Sequence, residues 1–218
     1  MSALVDKPVY TLYHYFRSSC SWRVRMALLH KNIPCNYVHV NILKGEHHSE
    51  EHLARNPLGY VPVLQIDDPV TNTSNFIAES TAIIQYLEDM HPLPPLLPGD
   101  ALQRAHIRQL VEIVNAGTQP LQNMGVMKKH SADVDEQKIW NAHWIAKGLH
   151  AFETLASKSA GRYCVGDEIT MADFFLVPQC YNARRFGIDM ANYPLLERID
   201  KDLSEMPNYQ DAHPDKFN

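Results

Sequence analysis

The residues whose side chains could take part in binding or catalysis lie at the start of a predicted helix near the beginning of the chain. Ser18, Ser19, Cys20 and Ser21 occur together in the stretch RSSCSWRVR. The unpaired N–H groups at a helix start carry partial positive charge and attract an anion, to which serine hydroxyls can add hydrogen bonds. A thiolate, a carboxylate or a phosphate would suit such a place. An ordinary serine cap, with the other serines facing water, is the more common arrangement, and the residues alone favour it.

Cys20 permits two opposite interpretations. A thiol at a helix start can react as a nucleophile. Cys20 also falls on a predicted inward stripe with Val24 and Leu28, which favours a buried, unreactive cysteine equally. The sequence contains 4 cysteines without C-x-x-C or metal-type spacing, which favours a reducing compartment: Cys20, Cys35, Cys164 and Cys180.

Two further groups that could bind a ligand lie next to the ends of predicted strands, and we call them polar corners. In LGYVPVL, a cis Val61-Pro62 bond would turn the Val61 backbone outward, where an extended peptide could pair with it. A trans bond is favoured, because cis bonds are a small minority before proline. Glu79 and Ser80 open a later helix, where the carboxylate can bind an amino group and the hydroxyl an acid group. We expect all these corners to converge at one end of the sheet, where open α/β sheets bind ligands.

Histidines and arginines supply weaker candidates. His47, His48 and His52 have no acidic or cysteine partner that completes a recognisable metal site, so we expect no metal there. Arg17 and Arg185 could each clamp a carboxylate through two parallel hydrogen bonds if they face a cleft. Surface ion pairing is the ordinary alternative for arginines in such positions.

The segments that must position these residues alternate in type through the first part of the chain. Strands are predicted over residues 9–15, 36–42 and 60–66 and over the short run FIA, and helices follow RSSC and FIA. A strand, helix, strand order of this length predicts a parallel pair with a right-handed crossover. The predicted order is therefore βαβ followed by ββα.

A proline-rich stretch, HPLPPLLPGD, separates this part from the rest and predicts a linker. Beyond it the periodicity predicts helices over residues 101–127, 135–157, 170–186 and 194–205. Thr170 and Asp173 match a capping box, with Ile169 and Phe174 at the staple positions that fix the entry of the helix.

Composition limits the class of partner. With 218 residues, 45% of them hydrophobic, the chain is long enough for one large or two small domains. The net charge is -5 with both signs interspersed, so we expect small-molecule partners and no nucleic acid. No signal peptide and no membrane-spanning run is recognisable, so we expect a cytoplasmic location and no membrane partner.

Together these motifs resemble those of the zeta class of soluble glutathione transferases. SSCSWRVRMAL is similar to the zeta signature, and NPLGYVPVL, QPLQN, YCVGDEITMADFFLVPQ and NARRFGID are similar to further zeta blocks. The likeness runs over nearly the whole chain. It implies an α/β thioredoxin-like N-terminal domain (βαβ-ββα, residues 1–90), a linker (91–100), an all-α C-terminal substrate-binding domain (101–218) and a homodimer.

The resemblance also implies which residues form a glutathione site. Ser19 would lie near the glutathione sulfur with Ser18 and Cys20 beside it, and these three with Arg185 are the catalytic candidates. The residues implied to bind glutathione are Ser18, Ser19, Cys20, Ser21, Trp22, Arg23, His47, Val61, Pro62, Glu79, Ser80, Gln119 and Asn123. The resemblance implies that Arg185 faces an acid group of the substrate, and Arg17 is the further candidate for holding the second acid group.

The implied reaction is the glutathione-dependent cis-trans isomerisation of maleylacetoacetate in phenylalanine and tyrosine breakdown. The thiolate would add to the conjugated alkene, rotation about the new single bond would follow, and the thiolate would then leave. Glutathione transfer to α-halo acids or other electrophiles and isomerisation of maleylpyruvate stay open. A non-catalytic binding module also stays open. A thiol-disulfide enzyme that uses Cys20 is a further alternative, but it is disfavoured because no second cysteine follows at C-x-x-C spacing.

Overall fold

A computed structural model describes residues 7–218, which divide into two compact units. One unit comprises the chain through Pro94 together with Asn208–Asn218, and the other comprises Pro95–Pro207. The domain expected over residues 101–218 differs from the second unit, because the last residues pack against the first unit. Residues 1–6 of the expected first domain lie outside the described residues.

The first unit has the predicted order of elements, with one additional short helix between the second and third strands, in a segment that was not predicted to be helical. It contains strands β1 (Val9–His14), β2 (Asn36–His39), β3 (Val63–Asp68) and β4 (Thr73–Ala78), and helices α1 (Ser19–His30), α2 (Glu50–Arg55) and α3 (Ser80–Met90). The sheet order is β2-β1-β3-β4, with β1 and β2 parallel and the other pairs antiparallel. The βαβ-ββα prediction is therefore confirmed.

The core of this unit forms between the sheet and the two long helices. Leu12 of β1 and Leu64 of β3 are directly paired across the sheet and fully buried. Helix α3 buries Ile83, Ile84 and Leu87 on one side, as its apolar spacing predicts. Burying each aliphatic side chain stabilises the fold by about 1.5–3 kcal/mol before the entropy of ordering is subtracted.

Strand β2 ends earlier than predicted. The predicted strand ran to residue 42, but β2 stops at His39. The side-chain oxygen of Asn41 accepts hydrogen bonds from the N–H groups of Leu43 and Lys44 at 3.1 and 3.2 Å, which starts a 3-10 turn at Ile42–Lys44. Such local side-chain bonds compete with the sheet ladder, so the asparagine ends the strand.

Lys31, at the end of α1, is buried and fixes the start of the proline-rich segment. Its ammonium lies 2.7 Å from a Glu88 carboxylate oxygen and donates to the carbonyls of His91 and Pro94 at 2.6 and 2.8 Å. A buried ammonium with three oxygen partners is well compensated for the loss of water. The side chain thus joins the ends of α1 and α3 to the chain that leaves the unit.

Replacing Lys31 by methionine is expected to lower the free energy of unfolding by about 2–3 kcal/mol, because Glu88 and two carbonyls would lose their shared donor. Urea unfolding followed by circular dichroism measures this. Lys138→Met is the matched control, since its ion pair with Asp135 lies on the surface, and it is expected to leave the midpoint unchanged. Equal midpoints for the two variants would contradict the role of Lys31.

The second unit is helical in the described chain apart from an isolated bridge between Ala160 and Gly166. Its helices are α4 (Ala101–Asn115), α5 (Met124–His130), α6 (Val134–Ala156), α7 (Met171–Arg185) and α8 (Pro194–Ser204), and a short α9 (Pro207–Asp211) leads out of it. The all-α class predicted for this part is confirmed. Among the described residues, no helix combines the length and apolar character needed to cross a membrane.

The single helix predicted over residues 101–127 is wrong. Helix α4 ends at Asn115, a 3-10 turn covers Gln119–Gln122, and α5 begins at Met124. Pro120 has no N–H to continue an α-helical ladder, and the buried Thr118 hydroxyl donates to the Ile113 carbonyl at 2.8 Å. These two effects redirect the chain where the residue periodicity alone continues.

The capping box predicted at the start of α7 is confirmed. The Asp173 carboxylate is fully buried and accepts from the Thr170 N–H at 2.8 Å, the Thr170 hydroxyl at 3.0 Å and the Cys164 N–H at 3.0 Å. The staple residues Ile169 and Phe174 are both buried. Burial raises the pKa of Asp173, while the donors from Cys164 and Thr170 act in the opposite direction.

Candidate functional site

Ser18 is the cap of α1. Its hydroxyl oxygen accepts from the Ser21 N–H at 3.2 Å, and its own N–H donates to the Tyr15 carbonyl at 3.0 Å. The ordinary interpretation of the serine cluster is therefore correct for this residue. With Ser18 engaged in the cap, any ligand at the helix start depends on the neighbouring serine.

Ser19 is the first residue of α1 and is half-buried. In residues 7–218 its hydroxyl makes no hydrogen bond, and neither do the backbone N–H groups of Ser19 and Cys20. One hydroxyl and two N–H groups are thus available together at the positive end of the helix. Cys20 is half-buried. This arrangement suits a partly desolvated anion such as a thiolate.

The next three residues of the serine block point into the protein. Ser21, Trp22 and Arg23 are each less than 5% exposed, so their side chains are not accessible to a ligand in this structure. Arg23 instead donates from Nη1 to the Ser80 hydroxyl at 3.2 Å. The contact ties the first turns of α1 to the start of α3.

Glu79 stands at the start of α3 in an unusual backbone conformation. Its φ is +69°, in the region that side chains other than glycine rarely adopt, and its carboxylate makes no capping hydrogen bond. The side chain is exposed, whereas Ser80 beside it is buried. Strained residues of this kind are concentrated at ligand sites, and an exposed carboxylate here can meet an ammonium group.

The bond before Pro62 is cis, so the trans expectation was wrong. The carbonyl of Tyr60 is held by two side chains, His52 Nε2 at 3.0 Å and Asn56 Nδ2 at 3.0 Å. Val61 is half-buried, and its backbone makes no hydrogen bond with any residue that the structure describes. Its N–H and carbonyl are therefore available to an extended peptide, while Pro62 is buried below them.

The histidine loop is compact. The rings of His47 and His48 lie 3.8 Å apart, and Nδ1 of His47 is buried without a hydrogen-bond partner in the described chain. Burial first, and then the nearby His48 and His52, lower the pKa of His47, so its ring is neutral at pH 7. The described residues contain no group of three or more potential ligands that could hold a metal ion.

The candidates in the second unit differ in exposure. Gln119 opens the 3-10 turn and is half-buried, and Asn123 caps α5 by accepting from the Gly125 N–H at 2.9 Å. Arg185 is the last residue of α7 and is exposed, with its guanidinium 6.0 Å from the Tyr181 ring. Arg17, in the first unit, is also exposed.

The sequence interpretation missed the residues that hold the turn at 119–122. Gln122 donates to Gln179 of α7 at 2.7 Å in a buried pair, and Trp140 of α6 donates its indole N–H to the Leu121 carbonyl at 2.8 Å. The sequence did contain one signal for a buried polar contact at Gln122, which is a polar residue within an apolar pattern of helical period. Its partner, 57 positions away, could not be inferred from that signal.

Comparison with known proteins defines the class. Residues 12–95 match the family model of the glutathione S-transferase N-terminal domain, and residues 121–211 match that of the glutathione S-transferase C-terminal domain. The chain belongs to the glutathione S-transferase family.

Within that family the chain is similar to the zeta class and to maleylacetoacetate isomerases. It is 44% identical to a zeta-class glutathione S-transferase of Euphorbia esula, over 97% of this chain and 92% of the relative. It is 48% identical to a probable maleylacetoacetate isomerase 2 of Drosophila melanogaster, over 93% of this chain and 87% of the relative.

Solved structures agree with this placement. Maleylacetoacetate isomerase from Anaeromyxobacter dehalogenans, with glutathione bound in its active site, is 42% identical and superposes with a TM-score of 0.89 over 97% of both chains. A second structure of that protein contains dicarboxyethyl glutathione and citrate in the active site. It is 40% identical over 96% of this chain and 92% of the other, with a TM-score of 0.87.

Proposed function

We propose that the protein is a glutathione-dependent isomerase that converts maleylacetoacetate to fumarylacetoacetate in phenylalanine and tyrosine breakdown. The observation that carries the proposal is that the Ser19 hydroxyl and two neighbouring N–H groups at the start of α1 have no hydrogen-bond partner among residues 7–218. Such a group of donors favours a thiolate over a thiol, which is the form of glutathione that reacts with an alkene. The likeness to isomerases over nearly the whole chain supports the same conclusion.

The residues of the first unit fit a bound glutathione. The backbone of Val61, unbonded within the described chain, would pair with the cysteinyl residue of the tripeptide, and the Glu79 carboxylate would hold the ammonium of its γ-glutamyl end. Ser80 would meet the carboxylate at that end, with Arg23 supporting its hydroxyl from below. His47 would lie near the glycine end. Ser21, Trp22 and Arg23 would support this site from the interior instead of contacting the ligand with their side chains.

Bound glutathione supplies a soft nucleophile that can add to a conjugated alkene and leave again. Ser19 and the first N–H groups of α1 would donate to the sulfur and hold it unprotonated. Arg185 and Arg17 would hold the acid groups of the substrate, since a guanidinium binds a carboxylate through two parallel hydrogen bonds. Gln119 and Asn123 would contribute from the segment that Gln122 and Trp140 hold in place.

A substrate with two acid groups is favoured by one comparison in particular. The active site of the Anaeromyxobacter dehalogenans isomerase holds dicarboxyethyl glutathione and citrate, both of which carry several carboxylates. For the present chain this supports a dicarboxylic alkene, maleylacetoacetate or the related maleylpyruvate, ahead of α-halo acids as the main substrate.

We further propose a cytoplasmic homodimer. Phe76, on the edge strand β4, and Met90, at the end of α3, are 41% and 49% exposed within the first unit. Large apolar side chains exposed beside an edge strand are typical of an interface with a second copy. Free cysteines without disulfides support a reducing compartment.

The test is to incubate the purified protein with maleylacetone or maleylacetoacetate, with and without glutathione, and to follow both the trans product and the free thiol. Conversion that requires glutathione and leaves its concentration unchanged is the expected result. Conversion with stoichiometric thiol loss would identify a consuming transferase. Failure to bind glutathione would identify a non-catalytic module and overturn the proposal.

A further inference from the structure

Arg25 is a fully buried arginine that joins two distant segments of the first unit. Its Nε donates to the Ala212 carbonyl at 3.1 Å, and its Nη2 donates to the Phe16 carbonyl at 3.0 Å. No carboxylate in the described part of the chain pairs with it. The buried charge therefore depends on backbone oxygens from both segments.

His14 is the partner of the third nitrogen of the guanidinium, Nη1. Its Nδ1 lies 3.3 Å from Nη1 of Arg25. Burial first, and then the charge of Arg25, lower the pKa of His14 to about 3, so its ring is neutral at pH 7 and can accept from the arginine. Burial lowers the pKa of Arg25 to about 9, which still leaves it protonated at neutral pH.

The C-terminal segment Asn208–Asn218 covers this arginine. The Phe217 ring centre lies 4.6 Å from Cζ of Arg25, and the same ring meets that of His14 edge-on at 5.4 Å. His213 packs edge-on against Trp22 at 5.1 Å. The segment thus contacts α1 along its buried side and provides both a carbonyl and an aromatic face for one charge.

The other carbonyl held by Arg25 belongs to the turn that leads into α1. Phe16 lies three residues before Ser19, and the turn continues with the Ser18 N–H donating to the Tyr15 carbonyl at 3.0 Å. A peptide group is rigid, so a shift of the Phe16 carbonyl moves the following N–H and the backbone that leads to Ser19. Arg25 is therefore connected to the proposed sulfur site through the single turn that precedes Ser19.

We propose that the segment Asn208–Asn218 acts through Arg25 to position the Ser19 hydroxyl and the first N–H groups of α1. This inference rests on the proposed function, because it concerns how well that helix start receives the glutathione sulfur. Without Phe217, the guanidinium loses the aromatic ring that covers it and keeps, among the described residues, the Ala212 and Phe16 carbonyls and His14 as partners. It would then move toward them or admit water, and the turn before Ser19 would shift. Arg25 and the segment are positioning elements and touch no reacting atom.

The test compares Phe217→Ala, and a chain that stops after Lys216, with the parent protein. Both variants are expected to raise KM for glutathione and to lower kcat/KM about tenfold. The pKa of the thiol of bound glutathione, read from thiolate absorbance during a pH titration, is expected to rise by about one unit. A merely structural role would lower the melting temperature without changing that thiol pKa.

Lys216→Ala is the matched control, because Lys216 is exposed in the same segment. It is expected to leave KM, kcat and the thiol pKa at the parent values. If the shortened chain fails to fold, Phe217→Ala still decides the matter, since it removes only the aromatic side chain and keeps the backbone of the whole segment.

The outcomes separate this inference from the function on which it rests. A parent protein that isomerises with glutathione, together with a folded Phe217→Ala variant whose thiol pKa and KM are unchanged, would overturn only the positioning role. A parent protein that binds no glutathione would overturn both. An active parent with a raised thiol pKa in both variants supports both.

Discussion

Replacing Ser19 by alanine is expected to lower kcat/KM for glutathione-dependent isomerisation by about 10²- to 10³-fold, the usual effect of removing one donor from a developing anion. The hydroxyl makes no internal hydrogen bond among the described residues, and alanine is a good helix former. The fold should therefore keep its stability while the thiol of bound glutathione becomes harder to ionise. Steady-state kinetics with maleylacetone and the pH dependence of kcat/KM measure the two effects.

Two neighbouring substitutions serve as controls for Ser19→Ala. Ser18→Ala removes the cap of α1 and is expected to cost about 1 kcal/mol of stability with a smaller loss of activity. Cys20→Ala is expected to lower kcat/KM less than about tenfold, because the proposed reaction uses the thiol of glutathione. An inactive Cys20→Ala beside an active Ser19→Ala would reverse the assignment and identify a thiol-disulfide enzyme.

Replacing Asp173 by alanine is expected to lower the free energy of unfolding by about 3–5 kcal/mol, because several buried donors would lose their acceptor together. These donors are the N–H groups of Cys164 and Thr170 and the Thr170 hydroxyl. Alanine also leaves a small void where the carboxylate stood. Urea unfolding at pH 7, followed by circular dichroism and tryptophan fluorescence, measures the loss.

Asp100→Ala is the matched control for Asp173. Asp100 also caps a helix, α4, but it is exposed and accepts one hydrogen bond, from the Gln103 N–H at 2.9 Å. Water can replace that bond, so the expected loss is about 1 kcal/mol. Equal losses for the two variants would mean that burial adds nothing to the capping box at α7.

The predictions that were correct concern features whose causes lie close together in the chain. The capping box of Thr170 and Asp173 spans four residues, and the Ser18 cap spans the same distance. The order βαβ-ββα follows from changes in the period of apolar residues, which each segment displays by itself. Short-range sterics and hydrogen bonds decide such features, so they can be predicted from neighbouring residues.

The predictions that failed concern local preferences that other parts of the chain outweigh or redirect. The Val61-Pro62 bond is cis although the local equilibrium favours trans. The helix predicted through residue 127 stops at Asn115, and the turn that follows it is bonded to Gln179 of α7 and Trp140 of α6, which lie far away in the chain. The side chains of Trp22 and Arg23 are buried, because one face of α1 packs into the unit, and their contacts with glutathione stay a prediction.

The sequence alone determined the elements, the helix starts and the motifs that resemble zeta-class transferases. Only the tertiary structure decided which of those polar residues stay free for a ligand. Among the described residues the Ser19 hydroxyl has no partner, while Ser18 is used as a cap, and Arg25 reaches two carbonyls that lie 9 and 187 residues away in the chain. The physical reason is that burial and hydrogen-bond pairing depend on groups brought together by folding, which no local pattern specifies.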